Sequence, residues 1–450
     1  MNNDTIKLLN LEGINVDLDK SDINKIDNTI YCNIILTRQN EACPLCGSIN
    51  IGIKDYQTKK IAHSVLTSSA CIIKYRARRY VCKDCSKIFY EKNPFSQQGE
   101  KTSTMTRLLV INSLKSHTST FSSVAKEYNL TPMTVMNIFD SWVDCRRKKL
   151  PSIICIDEIY TNKLSNSSKY AAVLLDFKSR EIIEIYRSRH KLYLSNRFSY
   201  IPVEERNNVK AVIIDMWLSY KELAIIYFKN SIIAVDSFHV INHLNKCIDK
   251  IRLRVMKKYL KPSVNKFVDH DMYYYMLKKF HYFFTKKHED IYDGEINIYK
   301  INAKWKKDEI LKYLLDIDDD LRYAYRLKEE YREFNLTAEY ETCDEELTEM
   351  IDRFCNSHLE EYREFGRMIR NWKQEIKNSF IKVDIISKNK ITRKRLSNGP
   401  MEGTNARLKC IIKNANGYRN FSRFRNRCMF CINKNTPILG VPIKKQMKDK

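Results

Sequence analysis

Short apolar runs that each end in an aspartate mark the middle of the chain. The runs lie at residues 153–156, 173–175, 212–214 and 232–235, and the aspartates that follow them are Asp157, Asp176, Asp215 and Asp236. Continuous apolar runs of this length are typical of strands buried on both faces, so helices are expected to cover the sheet. Residues 153–160, 170–177 and 181–186 follow one another closely and are predicted to form an antiparallel meander.

The last two runs are separated by an amphipathic segment at residues 219–228. A strand, a helix and a second strand predict parallel pairing, and three antiparallel strands followed by parallel ones is the strand order of ribonuclease H. In that order the first and fourth strands are neighbours, so Asp157 and Asp215 are expected to face each other at the centre of the sheet. Two carboxylates held there repel unless a cation lies between them, and Mg²⁺ prefers such oxygen ligands.

Two acids beside these strands have simpler interpretations. Asp176 precedes Phe177-Lys-Ser-Arg180, and it is favoured as a turn residue. Glu158 adjoins Asp157, and because adjacent strand residues point to opposite faces, only one of the two is expected to reach a metal.

Asp236 allows two interpretations. With His239 and His243 it has the spacing of a metal trio on one helical face. A histidine on an apolar helix is more often a core residue. We therefore favour a role for Asp236 and His239 in contacting the metal-ligating side chains, without binding the metal themselves, or in positioning DNA.

Two Cys-x-x-Cys pairs stand near the amino terminus. Their cysteines are Cys43, Cys46, Cys82 and Cys85. Each pair turns tightly enough to aim two thiolates at one ion, and two pairs complete the tetrahedral shell of a structural Zn²⁺. Because the loop between the pairs is long, His63 or Cys71 is an alternative ligand.

The pattern becomes helical between residues 102 and 142. Residues 122–128 and 131–139 are predicted as two helices, the second opened by Thr131 as N-cap and Pro132 at the first helical position. Two short helices joined by residues 129–130 predict a DNA-binding helix-turn-helix. The strand-like segment before it is basic, and its cations are predicted to lie along phosphates. They are Lys74, Arg76, Arg78 and Arg79.

The last part of the chain has two segments of different composition, a helix-like one followed by a strongly basic one. Helix-like spacing at residues 303–315, 321–334 and 347–372 predicts an all-helical insertion over residues 245–386. Residues 387–427 then hold twelve Lys or Arg against a single acid, Glu402.

Glu402 is expected in the first turn of a helix that Pro400 opens, where an acid also simply stabilises the helix. On that helix it shares one face with Ala406, Lys409 and Lys413. This arrangement fits a helix on which Glu402 binds a metal while the two lysines contact DNA bound beside it.

Composition narrows the class of partner. Over 450 residues, 79 Lys+Arg against 54 Asp+Glu give a formal net charge of +25, an excess that attracts nucleic acid before a membrane surface. The amino terminus has no secretory pattern and no apolar run reaches about 18 residues, so we expect a cytoplasmic, nucleoid-associated protein. There the 14 cysteines stay reduced, which favours metal ligation over disulfides.

Taken together, these motifs resemble the ISL-three family of insertion-sequence DDE transposases, nearly end to end. Besides the cysteine pairs and the helix-turn-helix, the likeness rests on five motifs. They are Ile156-Asp157-Glu158-Ile159, Asp215-Met-Trp-x-x-Tyr220, Val235-Asp236-Ser-Phe-His239-Val, Asn398-Gly-x-x-Glu402-Gly-x-Asn405 and Gly417-Tyr-Arg-Asn-Phe421. One departure is Ser237, where the motif leads us to expect arginine, a change expected to weaken a phosphate contact.

The resemblance implies that Asp157, Asp215 and Glu402 form the DDE triad, holding two Mg²⁺ ions or Mn²⁺ in their place. It implies cleavage at the ends of the element, strand transfer to target DNA, and a homodimer or larger assembly on DNA. The basic residues expected to bind that DNA are Lys409, Lys413, Arg419, Arg423 and Arg425. The rival interpretations are a ribonuclease-H-like nuclease or resolvase without strand transfer, and a non-catalytic DNA-binding regulator derived from a transposase.

The predicted fold class is α/β, a ribonuclease-H-like catalytic core interrupted by an all-helical insertion and preceded by a zinc ribbon and a helix-turn-helix. At roughly 150 residues per domain, a chain of this length holds several folded units. The predicted segments are a zinc-ribbon DNA-binding domain at residues 1–95, a helix-turn-helix at 96–148, the first part of the core at 149–244, the insertion at 245–386, and the last part of the core at 387–450, with the Glu402 helix and a basic tail.

Overall fold

The structure is a computed structural model that describes residues 1–39, 41–66, 69–161, 168–260, 268–286, 291, 294–387 and 390–438, without the side chains of residues 268–270 and 387. The chain divides into two compact units. The first comprises Met1–Arg147, Thr161–Asn166 and Asn405–Lys450, and the second Lys148–Tyr160 and Ser167–Thr404. Lys388 and the predicted basic tail beyond residue 438 lie outside the described residues.

The first unit begins with a five-stranded sheet and one short helix. These elements are α1 (Asn3–Leu8), β1 (Asp22–Ile26), β2 (Thr29–Ile34), β3 (Ile51–Ala62), β4 (Ala70–Cys82) and β5 (Ile88–Tyr90). The sheet order is β1-β2-β4-β3, with β5 also paired to β4. Every second side chain of β4 from Cys71 to Ala77 lies in the apolar core, the period of two expected for a strand with one buried face.

The predicted helix-turn-helix follows this sheet. Its helices are α2 (Thr104–Ser113), α3 (Phe121–Glu127) and α4 (Pro132–Trp142). Thr131 caps α4 as predicted, accepting a hydrogen bond of 3.2 Å from the N–H of Thr134. Asn129 turns the chain between α3 and α4 with a φ of 53°, a conformation that asparagine tolerates better than most residues.

The second unit is built on a five-stranded mixed sheet. Its strands are β6 (Ile153–Tyr160), β7 (Tyr170–Asp176), β8 (Ile182–Tyr186), β9 (Ala211–Ile214) and β10 (Ile232–Val235). The sheet order is β10-β9-β6-β7-β8. The meander β6-β7-β8 is antiparallel, whereas β9 is parallel to both β6 and β10. The ribonuclease H order predicted from the sequence is therefore confirmed.

Helices pack against this sheet, and its strands are buried on both faces as the apolar runs predict. The helices among and after the strands are α5 (Lys191–Ser199), α6 (Val203–Asn207), α7 (Leu218–Tyr227) and α8 (Ser237–Lys258). Ile154 and Ile156 of β6 share a core with Phe198 of α5, Leu223 of α7 and Val240 of α8. Fully burying an aliphatic or aromatic side chain of this kind contributes roughly 1.5–3 kcal/mol.

The insertion after α8 is mostly helical. Its helices are α9 (Val268–Lys279), a 3-10 helix (His281–Phe284), α10 (Lys307–Asp316), α11 (Asp319–Thr337), α12 (Cys343–Cys355), α13 (Glu360–Asn371) and α14 (Lys373–Asn378). None of the helices in the described part of the chain is long and apolar enough to cross a membrane.

Two hairpins correct the prediction of an all-helical insertion. They pair β11 (Glu295–Ile298) with β12 (Ala303–Lys306), and β13 (Lys382–Ser387) with β14 (Lys390–Arg395). Short segments such as β12 satisfy helical and strand spacing equally well, which explains why the predicted helix at residues 303–315 begins only at Lys307.

Residues 387–450 are divided between the two units. The helix α15 (Gly399–Asn414) belongs to the second unit up to Thr404 and to the first unit from Asn405. The next helix, α16 (Phe421–Ile432), packs on the helix-turn-helix. Its Arg427 is only 1% exposed and donates to the carbonyl oxygens of Ser116 and Ser119 at 2.9 and 2.8 Å. The basic run therefore includes an arginine that is buried in the first unit, which the sequence pattern alone does not reveal.

Candidate active site and zinc centre

Asp157 and Asp215 lie at the same level of two neighbouring parallel strands. Ile156 of β6 pairs with Ile214 of β9, and each aspartate is the next residue along the chain. Because adjacent strands lie about 4.8 Å apart, this register brings the two side chains to one edge of the sheet. One carboxylate oxygen from each lies within 4.8 Å of the other. The strand order therefore brings the two residues together as expected.

Glu158 joins this pair, which the sequence did not predict. One of its carboxylate oxygens lies within 4.8 Å of those of both aspartates. Its Oε1 forms an ion pair with Arg189, and its Oε2 accepts a hydrogen bond of 3.3 Å from the hydroxyl of Tyr220. The structure therefore brings both adjacent residues of β6 to the same edge of the sheet, and ligation of a metal by only one of them stays a prediction. Glu158 lies beyond the last residue pair of β6 and β9, where its longer side chain can turn back along the edge.

Aromatic rings fix the arginine that holds Glu158. The guanidinium carbon of Arg189 lies 4.2 Å from the ring centre of Tyr170 and 4.7 Å from that of Trp217, distances at which a ring face attracts a cation. Trp217 and Tyr220 both belong to the Asp215-Met-Trp-x-x-Tyr220 motif. That motif therefore supplies one carboxylate of the cluster and two side chains that hold its surroundings.

The carboxyl groups of Asp157 and Asp215 bind protons more tightly than usual. Burial raises the pKa of Asp157 to about 6. Burial, followed by repulsion from Glu158 and Asp157, raises the pKa of Asp215 to about 7. The Oδ1 atom of Asp215 is buried and has no hydrogen-bond partner among the described residues. Crowded acids with an unsatisfied oxygen fit a divalent cation, which offsets their repulsion and takes oxygen ligands.

Asp236 continues the row of acids onto a third strand. The register of β10 with β9 puts it at the same level as Asp215. Its side chain caps α8 by accepting from the N–H of Phe238 at 3.5 Å, and the backbone N–H of Asn398 lies nearby. The Oδ2 atom of Asp236 is buried and has no hydrogen-bond partner among the described residues. Burial raises its pKa. Asp236 thus lies between the end of β10 and the start of α8, near the residue that precedes α15.

Glu402 lies in the first turn of α15, as predicted. The carbonyl oxygen of Asn398 accepts from the N–H of Glu402 at 3.0 Å, so the residue near the Asp236 carboxylate also holds the first turn of α15. Partial burial and then the charge of Asp236 raise the pKa of Glu402, while His239 opposes the shift. Among the described residues, Glu402 is not part of the group of three carboxylates.

Two other candidates lie outside the carboxylate cluster. Asp176 is a turn residue, as predicted, and accepts hydrogen bonds from the N–H of Lys178 at 2.9 Å and the hydroxyl of Ser179 at 2.7 Å. Asp236, His239 and His243 do not converge as a metal-ligand group within the described part of the chain. The capping of α8 by Asp236 accounts for its position before the two histidines.

The four cysteines of the amino-terminal pairs come together. Their Sγ atoms are 3.6 Å apart for Cys43 and Cys85 and 3.6 Å apart for Cys46 and Cys82. All four lie within 4.8 Å of one another. Thiolates that surround Zn²⁺ tetrahedrally at about 2.3 Å are about 3.8 Å apart. The cluster therefore has the dimensions of a structural zinc site.

The alternative zinc ligands are engaged elsewhere. His63 is buried, with Nδ1 at 2.8 Å from the hydroxyl of Ser103 and Nε2 at 2.7 Å from the carbonyl oxygen of Leu9. Cys71 lies in the apolar core, where its Sγ is 3.7 Å from that of Cys32. Neither side chain belongs to the cysteine cluster.

Loss of zinc is expected to unfold the amino-terminal sheet. Cys82→Ser removes one of four ligands, and a structural zinc site contributes folding energy directly. The variant is expected to lose its zinc in elemental analysis and to melt at a lower temperature than the wild type. Cys410→Ser, which changes a cysteine of the same unit outside the cluster, is expected to keep the metal. Equal zinc content in the two variants would contradict the assignment.

The basic residues predicted to bind DNA have different surroundings. Three of them are exposed: Lys409, Lys413 and Arg419. Arg423 instead forms an ion pair with Asp140 of α4, with Nε 3.0 Å from Oδ1. Arg425 donates to the carbonyl oxygen of Cys145 at 2.6 Å. These two arginines hold α16 in place, and DNA contact by the exposed three stays a prediction.

Two of the four cations predicted along β4 are also neutralised. Arg78 is buried in an ion pair with Glu91 at 2.9 Å, and Arg79 pairs with Asp55 at 2.5 Å. The other two lie over tyrosine rings: Lys74 at 4.3 Å from the ring centre of Tyr31 and Arg76 at 4.5 Å from that of Tyr56. Of these four cations, only Lys74 and Arg76 therefore remain available to contact a phosphate.

A sheet in ribonuclease H order, acids at the ends of its central strands and a four-cysteine cluster define a ribonuclease-H-like protein with a zinc ribbon. Residues 154–428 match a transposase family model, that of the ISL-three (ISL3) family, and residues 39–85 match the zinc finger of the transposases IS204/IS1001/IS1096/IS1165. The first match covers more than half of the chain, so the protein belongs to the ISL-three family of transposases. No curated protein matches the chain.

Proposed function

We propose that this protein cleaves DNA at the ends of an insertion sequence and joins the freed 3′-hydroxyl to target DNA. The carrying observation is the meeting of Asp157 and Asp215 at the ends of neighbouring strands in a member of a transposase family. When bound, Mg²⁺ or Mn²⁺ polarises the phosphate and activates the attacking oxygen at such a site. Both reactions are in-line displacements at phosphorus and require no covalent intermediate with the enzyme.

Asp157 and Asp215 are proposed as cation ligands, with Glu402 as the third acid. Glu158 and Arg189 adjust the charge of the same site. When ionised, the three clustered carboxylates keep a net negative charge even after the guanidinium of Arg189 offsets one of them, and this charge favours divalent cations. Because both oxygens of Glu158 already accept contacts from Arg189 and Tyr220, we assign Glu158 to shaping the site and Glu402 to completing it.

Asp236 is proposed as the positioning residue for Glu402. Asp236→Leu removes the cap of α8 and the carboxylate that lies near the Asn398 N–H and Glu402, whereas Asp236→Asn retains a side-chain oxygen for the cap. We expect Asp236→Leu to lower the rate of DNA cleavage about 10- to 100-fold, the range seen when outer partners of metal ligands are lost, and to raise the Mg²⁺ concentration needed for half-maximal rate. Asp236→Asn is expected to remain near the wild type.

Cleavage rates of both variants over a series of Mg²⁺ concentrations, with melting temperatures as a control for folding, measure this effect. Equal losses in Asp236→Leu and Asp236→Asn would show that the charge of Asp236 matters, and they would reject the positioning role.

The proposed function is tested with purified protein, Mg²⁺, labelled duplexes that carry the ends of the element, and a supercoiled target plasmid. The proposal expects cut ends together with label joined to the plasmid. Cut ends without joined product would favour the nuclease or resolvase. Bound but uncut ends would favour the DNA-binding regulator.

A further inference from the structure

The first unit contains a basic cleft that no described motif accounts for. Its volume is about 1000 Å³, and it is lined by three segments, the end of β3, the end of β5 and residues 91–101. Four lysines lie along it, and they are Lys59, Lys60, Lys92 and Lys101. The cleft lining includes none of the four cysteines of the zinc cluster.

Both acids of the cleft are already neutralised. Glu91 is 6% exposed, accepts from the N–H of Arg78 at 2.7 Å and pairs with its guanidinium at 2.9 Å. Glu100 pairs with Arg107 at 3.0 Å, and both side chains are largely buried. The positive charge of the cleft is therefore not cancelled by its own carboxylates.

The four lysines of the cleft have no acidic neighbour close enough for an ion pair in the part of the chain that the structure describes. Lys59 lies over the ring of Tyr90, with its Nζ 4.7 Å from the ring centre, while the other three are exposed. Lys60 stands directly opposite Lys74 in the register of β3 and β4. Like charges opposite each other destabilise a sheet, so this arrangement is expected where an anionic partner offsets the repulsion.

The wall opposite β3 is a turn held by its own side chains. Asn93 accepts from the N–H of Phe95 at 3.0 Å and donates to the hydroxyl of Ser96 at 3.0 Å. Ser96 in turn donates to the carbonyl oxygen of Glu100 at 3.2 Å. Gly99 provides the positive φ of 81° that the turn requires. Lys92 and Lys101 therefore project from the two ends of a built wall.

We propose that this cleft binds the phosphodiester backbone of DNA. Lysines and amide side chains are the groups that contact phosphates without reading sequence, and Gln98 adds an exposed amide to the lining. The basic surface continues over β4 through Lys74 and Arg76, each above a tyrosine ring. The inference goes beyond the proposed catalysis, because it concerns no residue of the carboxylate site.

The test compares two double variants of the full-length protein that lose the same charge. Lys60→Gln with Lys101→Gln removes two cations from the cleft. Lys7→Gln with Lys25→Gln removes two exposed cations of the same unit outside it. Affinity for a labelled duplex of arbitrary sequence is measured by fluorescence anisotropy over a series of salt concentrations, without added divalent cation and without chelator. Zinc content and melting temperature verify that each variant is folded.

Each lost phosphate contact lowers the slope of log K against log salt concentration by about 0.9. The cleft variant is expected to lose about 1.8 of slope and about tenfold or more in affinity at low salt, whereas the control keeps the wild-type slope. Equal slopes in all three proteins, or equal losses in both variants, would overturn the proposal. Unchanged DNA affinity with lost binding to phosphatidylserine vesicles would assign the cleft to a membrane surface instead. Because no cleavage is measured, failure of the proposed catalysis would leave this result unaffected.

Discussion

Asp215→Asn is expected to reduce DNA cleavage and strand joining at least about 1000-fold while leaving DNA binding intact. The substitution keeps the size of the side chain but removes one negative charge from the carboxylate cluster. Metal ions stabilise charge in such reactions by several kcal/mol, and about 4 kcal/mol corresponds to a factor of about 1000. Asp157→Asn is expected to have the same effect, because carboxylate oxygens of Asp157 and Asp215 lie in the same cluster.

Asp176→Asn is the matched control. Asp176 ends β7 of the same sheet but closes a turn with Lys178 and Ser179. Its variant is expected to cleave at a rate near the wild type. Rates come from single-turnover assays with labelled ends, and DNA affinity from fluorescence anisotropy. Full activity of Asp215→Asn, or equal losses in Asp215→Asn and Asp176→Asn, would remove the basis for the catalytic assignment.

Glu402→Gln is expected to lower the cleavage rate about as strongly as Asp215→Asn, and Glu158→Gln only about tenfold. The difference is expected because Glu158 already has bonding partners within the protein, whereas Glu402 does not have comparable ones among the described residues. Glu158 is held by Arg189 and Tyr220, and a glutamine retains an oxygen for those contacts. Glu402 carries no comparable ion pair among the described residues and needs its charge to complete the site.

The same single-turnover assay, run side by side on the two glutamine variants, separates these roles. A small effect for Glu402→Gln together with a large effect for Glu158→Gln would reverse the assignment and make Glu158 the third ligand. The comparison is informative because the structure holds Glu158, and not Glu402, next to Asp157 and Asp215.

The strands of the second unit were predictable because each is a short apolar run that ends at an aspartate. The spacing of the strands and the helix between β9 and β10 predict the parallel pairing. That pairing places Asp157 and Asp215 side by side at the ends of neighbouring strands. The N-cap at Thr131 and the first turn at Glu402 were predictable for a similar reason, since both depend on residues within four positions.

Features that depend on distant contacts were not predictable. Glu158 is held in the carboxylate cluster by Arg189, which is 31 residues away. The alternation of side chains along a strand therefore did not predict its position next to Asp157. Arg423 and Arg427 were indistinguishable from phosphate-binding arginines until their partners Asp140, Ser116 and Ser119 were known. The long loop between the cysteine pairs left His63 open as a ligand, and only its bonds to Ser103 and Leu9 exclude it.

The most direct test of the central claim is the position of a bound cation. Crystals of the protein soaked in Mn²⁺ are measured at the manganese absorption edge, where anomalous scattering locates the ion. The account predicts a peak within ligand distance, about 2.1–2.2 Å, of carboxylate oxygens of both Asp157 and Asp215. Manganese bound elsewhere on the protein, with none between these two residues, would contradict it.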